Sequence, residues 1–163
     1  MSDIEKLAEM IMSSHRTVAY QGMKVADSLK PSPVHMAMYA LVKRRKLDMM
    51  VSEAGDGMFV KAGLPPTKVV ELSGQSTENR VISFQEDILR SADVCICMGI
   101  GSQTTSNEDY VPYWCKSEGA KLVIIGNESS PLESSADLVI RGNYEATITS
   151  LMEKLYITIP NWS

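Results

Sequence analysis

Apolar positions along this chain recur in blocks of two kinds: stretches at helical spacing, and short β-rich runs that end in turn residues. From Ser2 to Met12 the apolar residues Ile4, Leu7, Ala8 and Ile11 keep helical spacing, with acidic residues in the first turn, where the helix dipole favours them. Arg16–Gln21 is a β-rich run ending at Gly22. Ser32 and Pro33 open a second helix, Ser as N-cap and Pro in the first turn. Its residues Val34, Met38, Leu41 and Val42 hold the 3.6-residue period. Leu47–Val51 and Val69–Leu72 predict strands two and three. Phe84–Ala92 predicts a helix with Phe84, Ile88 and Leu89 on one stripe, and Asp93–Met98 a fourth strand. Glu108–Glu118 reads as a helix in which Pro112 is tolerable only in the first turns, closed by Gly119 as the C′ residue. Lys121–Ile125 and Leu138–Ile140 predict strands five and six. Tyr144–Leu155 predicts a closing helix, followed by the tail Ile157–Ser163. The polar segments Ser73–Asn79 and Gly101–Asn107 read as loops.

Strands alternate with helices throughout, and several strands are apolar on both faces. That pattern predicts an α/β fold: a doubly wound, six-stranded parallel sheet with helices on both faces. There is no internal repeat. At 163 residues, a single domain over 1–163 is expected, removing roughly 70% of the unfolded surface from water.

Charge and cysteine content narrow the function classes. A net charge of -4 argues against a nucleic-acid or anionic-membrane binder, which needs a basic face. The basic run Lys43–Lys46 falls where a helix ends, so complementing the helix dipole accounts for it. Cys95 and Cys97 alternate along a buried strand and Cys115 falls in a helix, with no CxxC pair, which predicts free thiols and no zinc site. No apolar run reaches ~18 residues, so no membrane span is expected. The first residues carry no basic and apolar leader. With the free thiols, this gives the expectation of a cytoplasmic protein.

Candidate chemistry sits where strands empty into glycines. Val94-Cys-Ile-Cys-Met-Gly-Ile-Gly-Ser102 is such a junction, and so is Gly22 after the first strand; doubly wound sheets build nucleotide sites there. Five segments in order extend the pattern: Pro31-Ser-Pro-Val-His35; Asp56-Gly57 with Lys61-Ala62-Gly63; Val70-Glu-Leu-Ser-Gly74; Met98-Gly-Ile-Gly-Ser-Gln103; and the whole of Gly119–Gly142. Together they resemble the sirtuin family of NAD-dependent protein deacylases, from about Thr17 to Met152. The resemblance implies the Rossmann-like core of the sirtuin large domain and a ligand of the NAD or ADP-ribose class.

Carried over position by position, the resemblance also implies losses. The family's general base is the His of Glu-Leu-His-Gly; here that position is Ser73, whose hydroxyl has no acid–base pKa near 7. His35 matches the family's structural histidine, and His15 precedes the first strand, away from the expected site. The family's first phosphate loop, Gly-Ala-Gly-x-Ser, corresponds to Gly22-Met23-Lys24-Val25-Ala26. Met23 and Lys24 place side chains where backbone N–H groups approach a pyrophosphate, although Lys24 still offers a phosphate a point charge; it reads equally as a solvated turn lysine. The Gln-Asn-x-Asp motif retains only Asp56, which also reads as the N-cap of a short helix through Lys61. The Gly-Thr-Ser loop becomes Gly99-Ile100-Gly101, with Ser102 and Thr104 near. The ribose-binding asparagine on strand five becomes Gly126, followed by Asn127 and Glu128. The family's helical insert shrinks to Asp27–Lys30 and its four-cysteine zinc module to Gln75–Val81, so no zinc and no acyl-peptide cleft are expected.

The expected cofactor site is therefore Gly22, Met23, Lys24, Asp56, Gly99, Ile100, Gly101, Ser102, Gly126, Asn127 and Glu128, with no catalytic residue assigned. Three functions fit: a nucleotide-binding domain without deacylase activity; a protein-interaction or structural subunit that has lost nucleotide binding; or a small hydrolase or transferase acting on an N-ribosyl bond, with Asp56 or Glu53 as acid–base group. A homo-oligomer or a permanent protein partner is expected, because losing the zinc module uncovers apolar surface, because Tyr110, Val111, Tyr113 and Trp114 give one helix aromatic weight, and because the tail ends in Pro160-Asn-Trp162.

Overall fold

The computed structural model describes residues 1–22, 29–72, 83–100 and 111–163. Six strands, β1 (Thr17–Gln21), β2 (Met49–Ser52), β3 (Val69–Glu71), β4 (Val94–Met98), β5 (Lys121–Ile125) and β6 (Leu138–Ile140), pair only in parallel, in the order β3-β2-β1-β4-β5-β6. This is the Rossmann order, and the doubly wound fold expected from the sequence is the fold observed.

The helices are α1 (Asp3–Ser13), α2 (Pro33–Lys43), α3 (Met58–Ala62), α4 (Ser83–Arg90), α5 (Val111–Ser117) and α6 (Tyr144–Lys154), with 3-10 turns at Pro66–Lys68 and Pro131–Ser135. Local chemistry fixes their ends. The Ser2 hydroxyl accepts from the Glu5 N–H at 3.1 Å, which starts α1, and Asn143 Oδ1 accepts from the Ala146 N–H at 2.7 Å, which starts α6.

Successive side chains along a strand point to opposite faces, so the sheet divides the core in two. Ala19, Met50, Ile96 and Val123 face α1, α2, α3 and α6. Val18, Tyr20, Met49, Cys95, Cys97, Leu122 and Ile124 face α4 and α5. Every residue of β1 and β4 is buried, which is why β4 reads as an unbroken apolar run, while β1 carries an apolar centre between buried Thr17 and Gln21.

Over the described residues strand and helix limits differ from expectation by a residue or two, the expected helix start at Glu108 lying outside them, and β2 runs Met49–Ser52 instead of Leu47–Val51, with Leu47 packed in the α2 core just before the strand. The aromatic helix departs further. Val111 and Trp114 were expected to supply interface surface, but they are buried in the core, with the Arg90 guanidinium 4.3 Å from the Trp114 ring centroid. Tyr110 lies outside the described residues.

Candidate functional site

The chain leaves β1 toward β2 on one side and leaves β3 for β4 on the other, so a crevice opens between the C-terminal ends of β1 and β4. Open α/β sheets bind ligands at such a switch point. Two glycines set its floor. The Gly22 N–H donates to the Met98 carbonyl at 3.0 Å, extending the β1–β4 ladder past the strand ends. A Cβ on Gly22 would sit 2.8 Å from the Gly99 carbonyl oxygen, closer than any real side chain tolerates. Gly99 itself turns with φ +68°, the left-handed region that favours glycine. The two backbones thus approach as only glycine permits, leaving a side-chain-free floor of the kind a pyrophosphate needs.

Tyr144, the first residue of α6, ties this floor to the next loop. Its hydroxyl accepts from the Gly99 N–H at 3.1 Å. Its ring edge lies against Gly126, where a Cβ would come within 3.2 Å of the hydroxyl oxygen. Arg141 then holds the loop after β5: its Nη1 donates to the carbonyls of Gly126 (3.3 Å) and Glu128 (3.0 Å), and its Nη2 pairs with Glu133. Neither residue was singled out from sequence. Asn127 and Glu128 are exposed on that pinned loop, and neither side chain has a hydrogen-bond partner.

Gln21 ends β1, in register between Ser52 of β2 and Met98 of β4. It is 0% exposed, yet both its Oε1 and Nε2 lack a partner. Leaving a buried amide unsatisfied costs about 1–3 kcal/mol per group, so such atoms mark where a ligand or water belongs. The glycine floor and this orphaned amide at the strand end both suit a nucleotide of the NAD or ADP-ribose class. Gly22, Gly99 and Gly126 would supply close backbone approach, and Asn127 and Glu128 would supply polar groups for ribose hydroxyls.

The other expected residues fall variously. Ile100 is buried in the core on the α4–α5 face, so its side chain packs there. Asp56 is not itself the N-cap of α3; that residue is Gly57, at φ +66°, and Asp56 Oδ1 accepts from the Met58 N–H at 3.2 Å one step further in. Met23, Lys24, Gly101, Ser102 and Ser73 lie outside the described residues, as do the loops Ser73–Asn79 and Gly101–Asn107.

His35 is buried, with its ring edge on Phe59 (centroids 4.9 Å apart, 63° between planes). Its Nδ1 accepts from the Ser32 N–H at 3.0 Å, which places the ring proton on Nε2. Burial lowers its pKa, and the Asp56 charge partly opposes that shift. Glu53, just past β2, donates its N–H to the Gln21 carbonyl at 2.9 Å, and burial of its carboxyl raises its pKa. His15 sits at the opposite end of the sheet, its N–H on the Asp93 carboxylate.

The three cysteines are buried thiols; contact with Cys95 and burial hold the Cys115 thiol well above its ordinary range. Among the described residues no three His, Cys, Asp or Glu side chains gather as metal ligands, and no helix is long and apolar enough to cross a membrane.

No protein-family model matches the chain. Among curated proteins, NAD-dependent protein deacetylase SRT1 of Arabidopsis thaliana is 22% identical over 179 aligned positions, covering 80% of this chain and 38% of that protein. An NAD-dependent protein deacetylase of Sulfurisphaera tokodaii is 32% identical over 101 positions, covering 57% of this chain and 39% of the relative. The chain is similar in sequence to these sirtuins. It spans under two fifths of the length of these sirtuin relatives. Solved structures share its fold: Sir2Af2 bound to a myristoylated histone peptide superposes with a TM-score of 0.76 at 16% identity, over 94% of this chain and 96% of the other. Sir2 with a p53 peptide and NAD+ gives 0.76 at 14% identity, over 94% and 98%.

Proposed function

We propose that this sirtuin-like domain binds a nucleotide of the NAD or ADP-ribose class in the β1–β4 crevice and does not deacylate proteins. The observation that carries the binding half is the contact of Gly22 with Gly99, where a single added methyl group would meet the Gly99 carbonyl oxygen at 2.8 Å. Backbone packed that closely at a Rossmann switch point puts no Cβ between the ends of β1 and β4 and a pyrophosphate. The non-deacylase half rests on Ser73 at the position of the family's general base. A serine hydroxyl cannot take a proton from a ribose hydroxyl near neutral pH. The lack of a zinc module and of the acyl-peptide cleft belongs to the same proposal.

The test is incubation with NAD and an acetyl-lysine peptide, followed by mass spectrometry, beside a nucleotide-binding measurement. Binding without deacetylated peptide supports the reading; stoichiometric deacetylation overturns it.

Glu53 favours a second reading. Its half-buried carboxyl has no hydrogen-bond or ion-pair partner and a raised pKa, at a strand end beside the crevice. A carboxyl shifted toward neutrality suits general acid–base work on an N-ribosyl bond. Release of nicotinamide from NAD that is lost in Glu53→Gln would favour this reading over a pure binding domain.

A further inference from the structure

At the end of the sheet opposite the crevice, where α2 ends and β3 begins, a groove of about 460 Å3 opens beside the edge strand. Tyr39, Leu47 and Pro65 give it apolar walls, and Lys43, Arg45 and Lys68 stand around it. The Tyr39 ring is fixed from two sides. It packs against Gly63, where a Cβ would lie 2.8 Å from Tyr39 Cε1, and Lys43 Nζ sits 5.8 Å from its centroid.

The charges here are unusual for a chain of net charge -4. None of Lys43, Arg44, Arg45, Lys46 and Lys68 is in an ion pair, while Lys6, Arg90, Lys116 and Arg141 pair with carboxylates. The one acidic residue in the groove, Asp48, is already engaged, accepting the Thr17 N–H at 3.1 Å. The helix dipole accounts for only part of the cluster: Lys43 lies in the last turn of α2 and Arg44 is its C-cap, whereas Lys68 arrives from a different segment of the chain. Arg45 keeps φ +60° at the position after the helix cap, where glycine is the usual residue, so a large cation is held there against backbone preference.

We propose that this groove docks an acidic segment of a partner protein that carries an apolar or aromatic side chain. The volume lies within the roughly 300–1,000 Å3 of ordinary binding pockets. It has room for one anchor side chain with backbone around it. An apolar centre with a charged rim is the anatomy of a protein interface, and the cationic rim selects a partner of opposite sign. A nucleic acid would instead require a track of cations following a backbone, and these cations ring a single pocket.

The test is fluorescence anisotropy with the full chain and a labelled short peptide of aspartate and glutamate around one phenylalanine. The same peptide with alanine in place of phenylalanine and a labelled single-stranded oligonucleotide serve as the comparison arms. The phenylalanine peptide should bind best, more weakly as salt rises, and the double variant Lys43→Glu, Lys68→Glu should weaken it by about tenfold or more. The milder Lys43→Ala, Lys68→Ala pair should weaken it in the same direction with an unchanged melting temperature. Three results overturn the proposal: no anisotropy change up to millimolar protein, equal binding by the charge-reversed variant, or tighter binding of the oligonucleotide.

Discussion

Replacing Gly22 by alanine adds one methyl group at the narrowest point of the crevice, and the structure says what that group meets. Its nearest neighbours are the Gly99 carbonyl oxygen at 2.8 Å, the Gly99 carbonyl carbon at 3.5 Å and Ile100 Cδ1 at 3.5 Å. The first is backbone, pinned by the Tyr144 hydroxyl at the Gly99 N–H and by the β4 ladder, so it cannot swing aside as a flexible side chain does. Overpacking a rigid site costs about 1–3 kcal/mol. Gly22 does not have positive φ, so alanine adopts the native backbone without torsional strain and gains about 0.4–1 kcal/mol from the narrowed unfolded ensemble. The net loss is about 1–2 kcal/mol, which for a domain of this size lowers the melting temperature by about 2–8 °C. Relieving the clash must part β1 from β4 at their ends, so the nucleotide-dependent rise in melting temperature should shrink as well. Scanning calorimetry with and without ADP-ribose reads both effects. Gly57→Ala is the control: nothing lies within 4 Å of its Cβ, and its φ of +66° costs backbone strain alone, so it should lower the melting temperature without changing the nucleotide response. A Gly22→Ala protein that melts at or above the parent temperature with an undiminished nucleotide response would refute the reasoning.

Tyr144→Phe removes the acceptor of the buried Gly99 N–H and should cost about 1–2 kcal/mol in urea denaturation; a change within error would mean that water replaces the hydroxyl without penalty. His35 has a pKa below its ordinary value, so the unfolded chain binds the proton more readily than the folded one. The stability it confers is present above pH 6.5 and is lost as pH falls through that value, and His35→Gln should flatten the melting temperature between pH 7 and 5. Burial works to raise the Asp93 pKa, but the N–H groups of His15 and Arg16 outweigh it and lower the value. Its contribution is therefore lost as pH falls below the carboxylate range, and Asp93→Asn should melt a few degrees lower at pH 7 with a shallower acid limb.

Much of the fold was legible because burial on both faces leaves a clear record. In β1, β4 and β5 nearly every position is buried, so the runs Val94–Met98 and Lys121–Ile125 are apolar without alternation and break sharply at Gly99 and Gly126. The helix starts were legible for the same local reason: Ser2 and Asn143 precede apolar stripes and cap them. The site was legible only where glycine was required. Gly22, Gly99 and Gly126 stand out because each follows a strand. Tyr144 did not, because its role depends on a hydroxyl meeting an N–H 45 residues away, and its place at the start of an amphipathic helix marks it only as a helix residue. Gln21 was read as the end of a strand; that both ends of its amide stay unpaired is a three-dimensional fact with no local pattern. Trp114 misled for the converse reason. An aromatic cluster beside a polar loop reads as surface, whereas α5 turns the indole into the core beneath Arg90.

The claim that the β1–β4 crevice is a nucleotide site is tested most directly by calorimetric titration of the full chain with ADP-ribose. The account predicts saturable heat at a single site. No heat with ADP-ribose or NAD at millimolar concentration would contradict it, and would leave the glycine floor as packing between two strand ends.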